Sequence, residues 1–169
     1  LGSTRIADLA RGSDAYATLL DRIERAGAFV HGPADEGGTG YTAQLITLAD
    51  DLDRDVRALT GQRERVHVFV DQTGSWTRGP TPRAPNVALA QLAACLEHRR
   101  IHCVTAQYDL AFHADRLHLT PASYRALGER LGAAMHARLD RCAPADAPYV
   151  ELAVQTDTIA LRYNRPVAL

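Results

Sequence analysis

The chain has 169 residues, 46% of them hydrophobic and 23% charged, with a formal net charge of −1. Those figures suit one globular domain with a real core and exclude a disordered or collagen-like polymer. They offer no electrostatic capture of nucleic acid or an anionic membrane, and no apolar run is long enough to span a bilayer.

Arginines interleaved with Asp and Glu, as in RERVH, DRDVR and LDRC, read as solvated helix faces. Cys95, Cys103 and Cys142 are odd in number and widely spaced, so no disulfide framework is expected. Cys95 and Cys103 sit in apolar surroundings, as small core residues do. The compartment is left undetermined.

Tyr16, Leu19, Leu20 and Ile23 recur at helical spacing over 14–26, with Gly27 as the stop. The apolar AFV (28–30) follows as a short strand, and HGPADEGGTG is a loop. From Tyr41, the series Leu45, Leu48, Leu52, Val56 and Leu59 predicts an amphipathic helix closed by Gly61. VHVFV (66–70) reads as a buried strand feeding the turn-rich DQTGSWTRGPTPRAP. A further helix covers 84–98, and IHCVTA (101–106) is another strand. Thr120 is placed as the N-cap of a helix over 121–141, with Pro121 in its first position and Tyr124, Leu127, Leu131 and Met135 on one face. YVELAV and TIALRYN alternate about QTDT, as in a hairpin.

Strand and helix alternating in this way predict an α/β fold with βαβ crossovers and a parallel sheet. Ligands in such folds bind at the carboxyl ends of the strands, which directs attention to HGPAD, DQTGSW and YDLAFHADRLH. In the last of these, Asp115 precedes His118 by three residues, immediately before the helix over 121–141. A carboxylate that accepts a hydrogen bond from Nδ1–H of a histidine fixes the tautomer and aims Nε2 as a general base. Asp-x-x-His is also common on surface loops. His113, Asp115 and His118, with His102, carry the donor types zinc accepts, but their spacing matches no standard motif. His67 and His136 read as structural or surface residues. Trp76 suits either core cover or stacking on a sugar ring, and the arginines of TRGPTPR either solvation or an acidic substrate.

HADRLHLTPASYRALGERL resembles the last block of the SGNH (GDSL-type) hydrolases, in which the triad Asp and His precede an LTPxGYRxLGxxL helix. GSTRIADLARGS resembles their second block, and AFVHGPADEGGTGYTAQL the third block of the carbohydrate (sialate O-acetylesterase-like) branch, with VHVFVDQTGSW fitting the strand that follows. The resemblance implies a three-layer α/β/α, flavodoxin-like domain over 1–143, with a β-hairpin or the start of a β-rich extension over 148–169. It implies a serine esterase removing acyl groups, above all acetyl, from an acylated saccharide or other small ester, with no cofactor, no metal, no nucleic acid and no membrane. Asp115 and His118 match the triad acid and base, Gly2 and His31 the oxyanion donors, and Asp35 the end of the third block.

The chain departs from that pattern twice. None of Ser3, Ser13, Ser75 or Ser123 stands at the nucleophile's place, so a segment preceding Leu1, or a companion chain, is expected to carry the Ser. Pro33 stands where the third block has Glu. The alternative is a catalytically inactive module that binds glycan or acts as a scaffold.

Overall fold

The structure is a computed structural model and describes residues 9–20, 26–29, 40–74, 86–139, 150–155 and 159–163. Among these, four helices alternate with five strands. The order is α1 (Asp14–Leu20), β1 (Ala26–Phe29), α2 (Tyr41–Thr60), β2 (His67–Gln72), α3 (Asn86–Glu97), β3 (Ile101–Ala106), α4 (Pro121–Leu139), β4 (Val150–Gln155) and β5 (Ile159–Tyr163). The first three strands form a parallel sheet in the order β1-β2-β3, with Phe29 opposite Val70 and Val70 opposite Cys103. The protein is therefore α/β, built from successive βαβ crossovers. Strands β4 and β5 pair antiparallel as a separate two-stranded sheet.

Alternation along β2 divides the core. Val68 and Val70 join Leu45, Leu48, Leu52 and Val56 of α2 with Val87 and Ala94 of α3. Phe69, between them, joins Leu127, Leu131 and Ala134 of α4 with Val104 of β3. Successive strand residues point to opposite faces, so helices cover β2 on both sides. Right-handed crossovers stepping one way across a sheet put their helices on one face, which explains why α2 and α3 share a cluster.

Four details differ from the sequence reading. Gly27, expected to stop a helix, lies inside β1 and pairs with Val68, so the strand begins at Ala26 rather than residue 28. Strand β2 continues past Val70 through a register shift to Asp71 and Gln72, which were expected in the loop. Leu59 keeps the phase of the α2 stripe, but it sits in the last turn beyond the core and is 74% exposed. On α4 the buried face is Ser123, Leu127, Leu131 and Ala134, with Tyr124 at its rim. Leu127 and Leu131 form the centre of that face, with the small Ser123 and Ala134 at its two ends.

The helix ends follow their local chemistry. Gly61 closes α2 in the left-handed region at φ 70°, where glycine meets no Cβ penalty, and its N–H donates to the Arg57 carbonyl. Ser13 Oγ accepts from Tyr16 N–H at the start of α1, and Tyr16 O–H donates to Asp55 of α2 at 3.0 Å. Buried Asp53 accepts from Val66 N–H at 2.9 Å and from Arg65, fixing the entry of β2.

Truncating Leu52, which is fully buried, to Ala should cost roughly 2–5 kcal/mol by lost burial and the cavity left. Leu59→Ala should stay within about 0.5 kcal/mol. Urea unfolding of the two variants checks the division between core and exposed turn.

Candidate functional site

Strand β3 ends at Ala106, and the chain then makes a pinched loop before α4. Its two limbs are tied by Thr120 N–H to the Ala111 carbonyl at 3.0 Å, by a bridge between Phe112 and Leu119, and by His113 N–H to the His118 carbonyl at 2.8 Å. Buried Leu110 and Leu119 root the loop in the α4 side of the core. Thr120 then starts the helix: its carbonyl accepts from Tyr124 N–H and its Oγ1 from Ser123 N–H. From α4, Arg130 reaches back to Asp109 through both guanidinium nitrogens, at 3.0 and 2.5 Å.

At the tip of this loop the structure brings Asp115 and His118 together. Asp115 Oδ2 and His118 Nδ1 are 2.8 Å apart. The other carboxylate oxygen, Oδ1, accepts from the backbone N–H of Leu117 at 2.9 Å and of His118 at 3.0 Å. A turn this tight needs a residue in the left-handed region, and Arg116 supplies it at φ 58°. Non-glycine residues there are uncommon and strained, and such residues gather at functional sites. The His118 bond foremost, with the two backbone N–H groups, holds the Asp115 carboxyl far below the usual carboxylate range. Asp115 is therefore ionised at any working pH, and its charge favours an imidazole protonated on Nδ1 with Nε2 left to act. The ring is 63% exposed, and nothing among the described residues hydrogen-bonds Nε2.

The strain at Arg116 gives a check on the turn. Arg116→Gly should keep the Leu117 amide protected, because glycine adopts positive φ freely. Arg116→Val should lose that protection, since the left-handed region costs about 1–2 kcal/mol for an ordinary residue and more for a β-branched one. Hydrogen exchange at Leu117 distinguishes the two.

Just below the loop, where β2 and β3 end, lies a buried polar cluster. Asp71 is completely buried, and its Oδ2 accepts from Gln107 Nε2 while Oδ1 has no partner among the described residues. Burial foremost pushes its carboxyl up to about 7. Gln107 Oε1 accepts from Gly74 N–H at 3.3 Å, and Gln107 N–H donates to the Gln72 carbonyl at 3.2 Å. Buried Gln91 of α3 accepts from Thr73 N–H at 3.0 Å and reaches Tyr41 Oη of α2 at 3.4 Å. The sequence reading pointed to DQTGSW, which begins at Asp71, but singled out none of Asp71, Gln91 and Gln107. The available signal was the position of an acid and an amide at the carboxyl ends of two adjacent strands.

Gly2, His31, Asp35 and Trp76, as well as Pro33, Ser3, Ser75 and Cys142, lie outside the described residues. Of the serines that are described, Ser13 caps α1 and buried Ser123 bonds Thr120, so neither approaches His118 as a nucleophile would. Cys103 is buried and Cys95 partly so. His102, weighed above with His113 as a zinc ligand, sits on β3 and instead stacks on His67, with Nδ1 of His67 2.9 Å from its Nε2. Arg138 of α4 donates to the same Nε2 at 3.4 Å. Burial, then the neighbouring His102 and Arg138, push His67 down to about 4, so it stays neutral. Among the described residues no three His, Cys, Asp or Glu converge as a metal site, and no helix is long and apolar enough to cross a membrane. Comparison with protein-family models, with curated proteins and with solved structures found no match.

Proposed function

We propose that this chain is the core of an SGNH-type serine esterase, a carboxylic-ester hydrolase that removes acetyl or other acyl groups from carbohydrate. In this reading the sheet belongs to a three-layer, flavodoxin-like domain over 1–143, and the nucleophilic Ser is supplied from outside these residues. The observation that carries it is the 2.8 Å pairing of Asp115 with His118 on a rooted loop at the carboxyl edge of a parallel sheet.

Each residue then has a defined task. Asp115 holds Nδ1–H of His118 and offsets the charge of the imidazolium. Nε2 of His118 removes the proton from the serine hydroxyl as it attacks the ester carbonyl, then delivers that proton to the departing sugar oxygen. Gly2 and His31 donate to the oxyanion, and Trp76 lines the sugar's approach. The partner is an acylated saccharide or other small ester, and neither nucleic acid nor membrane takes part.

The test is release of acetate from a chromogenic acetate ester and from an acetylated saccharide by the polypeptide carrying residues 1–169 with its upstream segment. Hydrolysis of both supports the proposal, and hydrolysis of neither overturns it. Pro33, standing where the resembled block has Glu, favours a second reading: a catalytically inactive module that binds glycan or serves as a scaffold. Saccharide binding unaffected by His118→Ala, without hydrolysis, would establish that reading instead.

A further inference from the structure

We propose that Asp71 and Gln107 form a pH-dependent latch that positions the Asp115–His118 loop, closed while the Asp71 carboxyl is protonated and released when it ionises. The geometry makes Gln107 the joint between two loops. It is the first residue after β3, so it roots the loop bearing Asp115 and His118. Its carboxamide spans Asp71 Oδ2 on one side and Gly74 N–H, at the start of the loop after β2, on the other. Packing there is tight: a Cβ on Gly74 would lie 3.1 Å from the Gln107 Cβ. The Gln107 carbonyl also accepts from Leu110 N–H at 3.1 Å, which carries the link into the pinched loop.

Asp71 is suited to control this joint. A neutral carboxyl keeps an oxygen for the Gln107 N–H and carries no charge that must be solvated. An ionised one needs more donors, and among the described residues Oδ1 finds none in a completely buried site. The described groups around it supply no compensating charge. From α3 comes the Gln91 amide, and from α2 the Tyr41 hydroxyl, which bonds Gln91 rather than Asp71. From β3, Thr105 pairs with Asp71 in register, and its Oγ1 is held by Arg130 of α4, whose charge is spent on Asp109. Ionised Asp71 must therefore be hydrated, and hydration requires that Gln107 and the two loop roots part. A variant that changes Asp71 alone isolates its contribution.

The latch rests on the proposed function only in what it positions, and two readouts keep the two separate. The first is hydrogen exchange in the full chain at Gly74, Leu117 and His118, corrected for intrinsic rates, with α2 amides reporting whole-molecule unfolding. Opening that exposes Asp71 should lower protection at these three amides by about tenfold per pH unit from pH 5 to 7, with Asp71→Asn flat. Equal slopes in the two proteins, or exchange only at the α2 rate, would overturn the latch. The second readout is hydrolysis: the rate of Asp71→Asn relative to wild type should rise several-fold from pH 5 to 8, through kcat rather than KM. A ratio independent of pH would also overturn it. If no ester is hydrolysed, the functional proposal fails while exchange alone decides the latch. Gln107→Met, similar in size but without the amide, gives a second variant: protection at Leu117 should be low at both pH values, and wild-type protection there would overturn the link.

Discussion

Replacing His118 by Ala is expected to lower ester hydrolysis by at least about a thousandfold while leaving the melting temperature where it was. The two halves of this result have separate causes. The imidazole is 63% exposed and its one described side-chain partner, Asp115, is half exposed, so the fold loses almost no packing. The chemistry loses its base, and without one a serine hydroxyl stays protonated and a sugar alkoxide leaves unprotonated. Asp115→Asn should lose less. It retains an oxygen for Nδ1–H or for the Leu117 and His118 amides, but the charge opposite the imidazolium is gone. A His118→Ala variant of wild-type activity would remove His118 from the mechanism, and one that unfolds would make the loop structural.

The second large effect is on stability. Asp71→Asn should stabilise the protein at pH 8 by up to roughly 4 kcal/mol, and by almost nothing near pH 4. The sign follows from proton binding. Burial raises the Asp71 carboxyl to about 7 in the folded chain, while in the unfolded chain it titrates near its ordinary value of 3.8. Below both values each state is protonated and no cost arises. As pH rises from about 4 to about 7 the folded state holds a proton the unfolded state has released, and stability falls throughout that window. Asparagine keeps an oxygen for Gln107 and cannot ionise. If the latch opens locally at lower cost than unfolding, that cost caps the gain. His67 works in the opposite sense: kept neutral down to about 4, it withdraws stability as pH falls from about 6.5. The two slopes oppose one another below pH 6.5, so the wild type should look nearly indifferent to pH there. Denaturant titrations at pH 4, 6 and 8 separate them, and a wild-type difference from Asp71→Asn that does not grow with pH would contradict the assignment.

How much was legible in the sequence depended on whether a signal was local. The α2 stripe, the Gly61 stop, the Thr120–Pro121 start and the parallel pairing of the strands were readable because each follows from spacing, from alternation of elements or from one residue's backbone preference. The pairing of Asp115 with His118 was readable for the same reason, since three residues and one turn bring them together. Gly27 was misread because a glycine after a helical stretch is equally suited to a strand, and only its pairing with Val68 decides. Tyr124 was misplaced because apolar periodicity weighs size, whereas Ser123 and Ala134 take the buried face by being small. The Asp71–Gln107 cluster was not legible because an acid at a strand end looks like a loop residue. Its side-chain partner is Gln107, 36 residues away, which no local spacing announces.

The most direct measurement is labelling with a fluorophosphonate, which reacts with an activated serine, followed by mapping of the modified residue in the polypeptide that includes the upstream segment. The expected label falls on one serine other than Ser3, Ser13, Ser75 and Ser123, and disappears in His118→Ala. No label, or a label indifferent to His118, would contradict the assignment of Asp115 and His118 as the acid and base of a serine esterase.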